Sequence, residues 1–360
     1  MKRILTVTSV LLLMLTACVK ENPSHIRGIT VKSGESIQAA VDKALPGQTI
    51  FIEPGVYLES VLVNKANITI VGLGGGHGER VIIKNPGDED NGITVRDNGD
   101  GFVLKNVTVQ DFEENGVFLV RVDGFELIKV ITIDNGEYGL FPVRCLNGLI
   151  EDCSATGHTD TGIYVGQSEK IVVRKSIAFG NVNGFEIENC SNIIVDQNEA
   201  YDNTAGMLVI LLPGLTVKAS ANILITENNL HDNNHVNFAE PGEGFESVVP
   251  QGSGILIVGV DNVLLKNNKI INNDFVGAAV VSTLVLGSLA GLPPEAFADI
   301  EPNADGANII NNRITVNGTN PPPGLPLPAV DLLWDGNGNN NCWKNNDYQT
   351  SFPQTLPVCL

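Results

Sequence analysis

The chain has 360 residues, of which 43% are hydrophobic and 6% aromatic, and its formal net charge is −19 at pH 7. This negative charge repels the phosphate backbone of nucleic acids, so nucleic acid is not expected as a partner. A polyanionic glycan is repelled as well, unless a local basic patch or a bridging divalent cation offsets the field. The acidity is explained more simply as a means of keeping a long, sheet-rich surface soluble.

The amino-terminal segment has the order of an export signal. Two basic residues, Lys2 and Arg3, precede an apolar stretch at 4–15 that is too short to span a bilayer. The stretch ends in a small-residue cleavage motif, Leu-Thr-Ala-Cys, whose last residue is Cys18. An ordinary secretory signal with a chance cysteine is the alternative interpretation.

The Leu-Thr-Ala-Cys ending resembles the bacterial lipobox, and this resemblance implies a lipid anchor. It implies cleavage after residues 1–17, diacylglycerol on the Cys18 sulfur, and a tether at 18–28. Val19 is not the aspartate that typically retains Gram-negative lipoproteins in the inner membrane. We therefore expect a protein held by lipid in the bacterial cell envelope, on the outer membrane if the cell is Gram-negative.

The sequence repeats itself every 22 to 24 residues from Gly92 onward. Each repeat contains a glycine that opens a short strand of alternating side chains. These glycines are Gly92, Gly116, Gly139, Gly162, Gly184, Gly206, Gly254 and Gly277. Three short strands separated by turns make up each repeat, and such a unit buries its apolar side only by stacking. The prediction is an all-β solenoid, a parallel β-helix over residues 29–322 with about ten coils and a length of roughly 50 Å.

Asparagines recur in the turns of the predicted coils. Asn198, Asn228, Asn268 and Asn312 fall in one column, so their amides can bond one another along the stack and satisfy turn carbonyls. We interpret these asparagines as structural. Leucine-rich repeats have a similar period, but the β-branched residues and turn asparagines here do not fit their leucine consensus.

The ends of the solenoid need caps, because exposed sheet edges pair with other chains. Ser36 to Leu45 is predicted to form a helix that Ser36 caps. Its apolar face consists of Ile37, Ala40, Val41 and Ala44. At the other end, the segment after Asn317 loses the repeat and gains prolines, and residues 323–360 are expected to form a carboxyl-terminal cap.

Five cysteines follow Cys18 in the sequence. Cys342 and Cys359 flank the turn-rich tail, where an oxidising export compartment favours a disulfide. Cys145 and Cys153 can also pair, which leaves Cys190 as a free, buried thiol. The sequence lacks the Cys/His grouping typical of a zinc site.

The chain resembles the parallel β-helix repeat lipoproteins of the pectin-lyase-like superfamily. The strings that carry the resemblance are GIYVGQS from Gly162, GFEIEN from Gly184, NTAGMLVILLPGL from Asn203 and NNHVNFAEPG from Asn233. The resemblance implies a right-handed parallel β-helix with a helical amino-terminal cap, in a family without an established activity. Relatives tend to carry a polar or acidic residue where this chain has Leu211. The wider superfamily contains lyases, C5-epimerases and hydrolases of uronic-acid polysaccharides, together with adhesins and structural rods.

The resemblance places a groove along the glycine-marked strands, flanked by loops. Two long insertions, residues 231–253 and 283–306, adjoin these strands. Alternation predicts that Ile163, Phe185, Met207 and Ile255 point inward. It predicts outward positions for Tyr164, Glu186, Glu188, Leu208, Ile210, Leu256 and Val258. The outward apolar side chains need a cover, which the insertions can supply.

Glu186 and Glu188 form the sharpest chemical feature of the predicted groove. They lie on one strand face, roughly 7 Å apart, with Tyr164 on the neighbouring coil. The spacing suits a shared cation or an acid/base pair. A lyase or epimerase must neutralise the substrate carboxylate and move two protons, so calcium on the glutamates can neutralise the substrate. Tyr164, Arg144 or His158 can then transfer protons, with Asp160 at the turn nearby.

Each candidate also has a structural interpretation. Surface glutamates on a β-helix are usually solvated, and His158 occupies the asparagine column, where it can satisfy turn backbone. His231 and His235 lie in the first insertion. With Asn237 and Glu240 they can line a substrate pocket, or they can serve loop hydrogen bonds.

Two functions follow from these patterns. The first is a tethered protein that binds or modifies carbohydrate, with a uronic-acid polysaccharide as substrate. The second is a non-catalytic lipoprotein that docks another exported protein through the outward Leu208, Ile210, Leu256 and Val258.

Overall fold

The computed structural model describes residues 28–74, 79–242 and 244–360. The predicted signal, Cys18 and most of the tether lie outside the described residues. Within them, the α-helices are α1 (Ile37–Lys43) and α2 (Thr283–Leu289), with short 3-10 turns at Glu246–Val248 and Pro294–Phe297. None of these described helices has the length and apolar composition needed to cross a membrane.

The rest of the described chain winds through three parallel sheets. The first has twelve strands in the described residues: β1 (Ile29–Val31), β2 (Thr49–Ile52), β5 (Thr69–Gly72), β8 (Val103–Lys105), β11 (Asp123–Ile128), β14 (Leu146–Glu151), β17 (Glu169–Arg174), β20 (Ser191–Asp196), β23 (Ala221–Thr226), β26 (Asp261–Lys266), β29 (Asn308–Ile310) and β32 (Cys342–Lys344). Consecutive strands of this sheet come from consecutive coils.

The second sheet contains the glycine-marked strands and is called the groove sheet below. Its strands are β4 (Val61–Val63), β7 (Asn91–Val95), β10 (Asn115–Val120), β13 (Tyr138–Val143), β16 (Thr161–Gly166), β19 (Asn183–Glu188), β22 (Ala205–Ile210), β25 (Ser253–Val258), β28 (Val276–Val281), β31 (Val330–Trp334) and β33 (Ser351–Phe352). The third sheet contains β3 (Gly55–Leu58), β6 (Val81–Lys84), β9 (Thr108–Gln110), β12 (Ile131–Ile133), β15 (Ser154–Thr156), β18 (Ile177–Phe179), β21 (Glu199–Tyr201), β24 (Asn229–His231), β27 (Lys269–Ile271) and β30 (Arg313–Thr315).

The register confirms the predicted stacking. Ile163 pairs with Phe185, Phe185 with Met207, and Met207 with Ile255, in parallel and one coil apart. All four side chains are buried in the main core, as alternation predicts. Leu211, the departure from the relatives' pattern, is also buried in this core.

The marker glycines have a steric cause. A Cβ built on Gly184 would lie 2.6 Å from the Gly206 carbonyl oxygen and 2.9 Å from Nδ2 of Asn203. A side chain there would collide with the next coil and with a turn asparagine, so the close packing of the stack requires glycine.

The predicted asparagine ladder is present. Asn198 donates to Asn228 at 3.0 Å, Asn228 to Asn268 at 2.9 Å, and Asn268 to Asn312 at 3.0 Å. Each amide oxygen also accepts the backbone N–H of the preceding asparagine in the column. The column is structural because it satisfies buried turn backbone in every coil that it crosses.

A second ladder runs through the turn before the groove sheet and contains His158. The ring bonds the Asn135 carbonyl oxygen through Nδ1 at 3.0 Å and Oγ1 of Thr132 through Nε2 at 3.2 Å. The His158 backbone N–H donates to Oδ1 of Asn181. Burial lowers the pKa of His158 to about 4, so the ring is neutral at pH 7. His158 therefore serves the turn and does not reach the groove.

Both ends of the solenoid are covered. Helix α1 begins after Ser36, whose hydroxyl accepts from the Ala39 N–H, and it packs its apolar face on the first coil, as predicted. At the other end the prolines do not stop the stacking, since β31, β32 and β33 continue the sheets into the predicted tail. The Cys342–Cys359 disulfide is formed there.

The pairing of Cys145 with Cys153, which the sequence left open, does not occur. Cys145 precedes β14 and Cys153 follows it, so a six-residue extended strand separates them. Six strand residues span about 20 Å, well beyond the reach of a disulfide. Both thiols are free and buried, as is Cys190, and burial raises the pKa of all three.

The insertions cover part of the groove sheet and form a second apolar core. Leu208, Ile210, Leu256 and Val258 point outward, as predicted, but each is at most 6% exposed. They pack with residues of α2, including Leu286, and with Val249 of the first insertion. The docking hypothesis loses its support here, because the chain's own loops occupy the surface that a partner would need.

Candidate functional site

Along the rod, the outward side chains of the groove sheet change from aromatic to acidic and then to aliphatic. Phe118, Phe141, Tyr164 and Glu186 occupy successive coils of one column, and the covered Leu208 follows. The aromatic rings contact one another, with centroids 5.3 Å apart for Phe118 and Phe141 and 4.8 Å apart for Phe141 and Tyr164. A carboxylate thus lies between an aromatic wall and an apolar core.

Glu186 and Glu188 of β19 lie in this junction, each with a hydroxyl donor. The Thr161 hydroxyl donates to Oε2 of Glu186 at 2.7 Å, and the Asn183 amide donates to the same oxygen at 3.3 Å. The Tyr164 hydroxyl donates to Oε1 of Glu188 at 2.7 Å. Glu186 is only 6% exposed, so it is not a solvated surface glutamate.

Asp160 completes a cluster of three carboxyl groups. Its Oδ1 lies 2.9 Å from the Thr161 hydroxyl oxygen, so one threonine links it to Glu186. The Tyr138 hydroxyl also bonds Asp160. The Tyr138 ring stacks on Phe141 with centroids 4.2 Å apart, so the aromatic wall and the carboxyl cluster are continuous.

Burial and mutual repulsion favour the protonated forms of this cluster. Burial, followed by the charges of Asp160 and Glu188, raises the pKa of Glu186 well above its usual range. Burial also raises the pKa of Asp160. For Glu188 burial outweighs the Tyr164 hydrogen bond and raises the pKa to about 7. Glu188 can therefore give or take a proton near neutral pH.

The first insertion adds a cavity next to the cluster. The cavity has a volume of about 330 Å³. Its lining consists of Glu137, Tyr138, Thr159, Asp160, Glu240, Gly244 and Glu246. The charge of Glu246 also acts on Glu186. Four acidic residues, Glu137, Asp160, Glu240 and Glu246, therefore line one cavity.

The structure places most of the remaining candidate residues away from the carboxyl cluster. Arg144 is exposed and donates to the Thr216 hydroxyl at 2.8 Å, so its described contact is with a loop rather than with the carboxyl cluster. His235 contacts Phe238, and the Asn237 amide donates to the Glu246 and Val249 carbonyl oxygens. Both residues hold the insertion in shape, while Glu240 alone of the predicted substrate-binding set lines the cavity.

His231 lies in the third sheet, away from the groove. It is the last residue of β24, and its ring stacks on Tyr201 with centroids 5.6 Å apart. Its two ring nitrogens contact Asp232 and Glu199, at 2.6 Å and 3.1 Å.

The geometry does not favour the calcium hypothesis. In the described parts of the chain, no group of three or more His, Cys, Asp or Glu side chains is arranged to hold a metal ion. The Glu186 and Glu188 oxygens described above are engaged by Thr161 and Tyr164 instead. We therefore derive no step through a metal.

Several site residues were missed by the reasoning from sequence. Tyr138, Phe141, Thr161 and Asn183 all belong to the groove sheet. Phe141 lies in the column of Glu186, and the other three share the column three residues earlier on each strand. The repeat register would have located Phe141 one coil before Tyr164. Glu246 had no such signal, because its position depends on the conformation of an irregular loop.

Comparisons with known proteins agree with this architecture. Residues 91–212 match the family model described as a right handed beta helix region. A comparison with curated protein sequences finds no match.

Solved structures of similar shape cover most of the chain. The A-module of a mannuronan C-5 epimerase from Azotobacter vinelandii superposes with a TM-score of 0.65 at 20% identity, over 86% of this chain and 81% of the module. An alginate lyase from Paenibacillus sp. gives a TM-score of 0.59 at 15% identity, over 87% and 99% of the two chains. A pectate lyase gives 0.50 at 15% identity, over 91% and 76%. The chain therefore has a right-handed parallel β-helix fold.

Proposed function

We propose that the chain binds carbohydrate in the groove between the aromatic wall and the first insertion, and that Glu188 and Glu186 modify the bound sugar by acid–base chemistry. The observation that carries the proposal is the junction of an aromatic surface with hydrogen-bonded, partly buried carboxyl groups beside an open cavity. Sugar rings present apolar faces and hydroxyl donors, which this combination matches. The epimerase and the two lyases named above support the proposal.

The pKa shifts of Glu188 and Glu186 indicate which role each residue takes in the proposed proton transfer. Glu188, with a pKa of about 7 and a tyrosine donor, can act as the base or the acid of a proton transfer. Burial raises the pKa of Glu186 well above its usual range, which favours its protonated form as a proton donor. Two carboxyl groups with different pKa values are the usual basis for dividing acid and base roles in sugar chemistry.

In its finer form, the proposal is that the substrate is a uronic-acid polysaccharide and that the reaction is that of a lyase or an epimerase. Such a substrate needs its carboxylate neutralised before a proton is abstracted. The side chains that bond Glu186, Glu188 and Asp160 in the described structure are hydroxyls and an amide. None of these partners carries a positive charge, so they do not neutralise a substrate carboxylate.

The test incubates the purified chain with a panel of neutral, amino and uronic polysaccharides, with and without calcium, and follows the sugars by proton NMR. New unsaturated, inverted or reducing-end signals are expected with the native chain. They should disappear in Glu188→Gln and persist in Glu227→Gln, a change in an exposed turn of the first sheet. If the native chain leaves all spectra unchanged, and if Glu188→Gln binds the sugars as the native chain does, the proposed groove is refuted.

We also propose that the protein is exported and anchored to the bacterial cell envelope through lipidated Cys18. Support comes from the order of basic, apolar and small residues at 2–18. Mass spectrometry of the protein from membranes should find diacylglycerol on an amino-terminal Cys18. Cys18→Ser should release the protein from the membrane fraction. An uncleaved, unlipidated chain would refute the anchor.

A further inference from the structure

We infer that the rod stands upright on the membrane, with its first coil in contact with the lipid surface and its carboxyl-terminal end pointing away from the bilayer. This inference rests on the proposed lipid anchor at Cys18 and adds to it an interaction surface on the folded chain. Three features of the molecule point to this orientation: where the chain enters the solenoid, where apolar side chains are exposed, and where the charges lie.

The chain enters the solenoid at its amino-terminal end, where β1 is the edge strand of the first sheet. The first described residue, Gly28, follows the anchor residue Cys18 by ten residues. Ten residues span at most about 35 Å when fully extended, which is less than the roughly 50 Å of the solenoid. The anchor therefore holds the first coils within reach of the bilayer, whereas contact of the last coils depends on how the rod is inclined.

Apolar side chains are exposed on the first coil, which consists of β2, β3 and β4. β3 is the edge strand of the third sheet, and its Val56 and Leu58 are 55% and 62% exposed on either side of the buried Tyr57. Leu45, which follows the capping helix α1, is 66% exposed. A bilayer surface buries such side chains a few ångströms deep and leaves the neighbouring polar groups among the lipid headgroups.

The charge distribution selects the same end of the rod. Residues 19–66 carry five basic and five acidic side chains, whereas residues 67–360 carry 15 basic and 36 acidic ones. Anionic lipids therefore repel the rest of the rod as a whole but not the segment that contains the first coil. A rod lying flat would bring the acidic coils against the headgroups, so the electrostatic energy favours the upright orientation.

An upright rod sets the height of the carboxyl cluster over the membrane. Five steps of the groove sheet separate β4 of the first coil from β19, which carries Glu188. At ~4.8 Å for each step, Glu188 lies roughly 24 Å farther from the bilayer than β4 does. The groove sheet faces sideways from the rod, so a sugar polymer in the aqueous layer reaches the cluster without approaching the lipid surface.

The test compares a fluorescent label at two matched positions of the third sheet. Val56 and Ile177 are both exposed and occupy one outward column, five strands apart. Labels on Val56→Cys and Ile177→Cys therefore differ by about 24 Å in height along the rod. The free cysteines of the described chain are buried, so the label reacts with the introduced thiol.

The full-length, lipidated protein is reconstituted in vesicles of phosphatidylethanolamine and phosphatidylglycerol, with and without a nitroxide-labelled lipid that quenches the fluorophore. The label at position 56 should lose about twofold in fluorescence with the quenching lipid, while the label at position 177 keeps its fluorescence. Adding Leu45→Ser and Leu58→Ser to Val56→Cys should restore most of the signal, because the apolar contact is lost while the anchor stays. Thermal melts verify that each variant is folded.

Quenching at position 177 that equals or exceeds quenching at position 56 would overturn the inference, because the rod would then lie flat on its third sheet. A lipidated, vesicle-bound protein without quenching at position 56 would overturn it and leave the anchor intact. Unchanged quenching after the two serine substitutions would overturn the apolar contact surface, since the anchor alone would then hold the coil there. If mass spectrometry finds no lipid on Cys18, the proposed anchor and this inference fail together.

Discussion

At the scale of single residues, the site depends on a hydrogen bond between two coils. Tyr164 on β16 donates to Glu188 on β19, and the parallel register brings Tyr164 and Glu186 side by side. The hydrogen bond favours the charged form of Glu188, while burial opposes it. The balance leaves the pKa close to neutrality, where proton transfer is most effective.

Removing the Tyr164 hydroxyl should shift this balance. In Tyr164→Phe the pKa of Glu188 should rise above about 7, because burial and Asp160 then act without the donor. Carbon-13 NMR of the glutamate carboxyl groups measures the change. Tyr201→Phe, in the third sheet, serves as the matched control and should not move it. A lower pKa in Tyr164→Phe would contradict the assigned contact.

The raised carboxyl pKa values also predict how stability depends on pH. A carboxyl whose pKa is higher in the folded state binds its proton more tightly there, so stability is greatest at low pH and falls as the pH rises through the folded pKa. For Glu188 the fall lies between about 4.5 and 7. Thermal melts should show a declining Tm across this window in the native chain.

The variant Glu188→Gln should make that decline shallower, by on the order of 3 kcal/mol over the window. Glu227→Gln should keep the native slope. A native Tm that rises from pH 4.5 to 7 would show that the carboxyl cluster is not held in the arrangement described.

At the scale of elements, the turns are held by ladders of side-chain amides. A ladder member accepts one backbone N–H and donates to a turn carbonyl, as Asn228 does with the Asn198 N–H and the Val195 carbonyl oxygen. The same bonds recur from coil to coil, so loss of one member leaves buried groups unsatisfied in its neighbours.

His158 tests this account, because it occupies the asparagine position of its ladder. His158→Ala should cost about 2–3 kcal/mol, since the Asn135 carbonyl oxygen and the Thr132 hydroxyl lose a buried partner. His158→Asn should recover more than half of that loss. Urea unfolding of the two variants gives the comparison. Equal destabilisation by Ala and Asn would mean that ring volume, not hydrogen bonding, is what the position requires.

The elements also show which parts of the structure were predictable from sequence. Strand order, inward faces and the Asn198 column followed from a period of 22 to 24 residues, because each coil repeats the same local environment. The same alternation placed Glu186 and Glu188 outward. Their burial was not predictable, since it depends on how an irregular insertion folds back over them. The contact of Arg144 was not predictable for the same reason, because its partner Thr216 lies in a loop outside the repeat.

At the scale of the whole molecule, the groove sheet is covered toward one end of the rod and partly exposed toward the other. Toward the carboxyl-terminal end the insertions cover the groove sheet and form a second apolar core. Toward the amino-terminal end the aromatic wall of Phe118 and Phe141 stays partly exposed. The carboxyl cluster lies at the boundary, where the rod offers both a supporting loop and an accessible surface.

The measurement that tests the central claim most directly compares two phenylalanines in two aromatic stacks. Phe141 belongs to the aromatic wall of the groove, and Phe179 stacks on Tyr201 in the third sheet. Calorimetric titration with neutral, amino and uronic hexasaccharides should show binding by the native chain. Phe141→Ala should lose about tenfold in affinity, or about 1.4 kcal/mol, while Phe179→Ala keeps the native value. Native affinity in Phe141→Ala with a loss in Phe179→Ala would place the sugar on the third sheet and contradict the account.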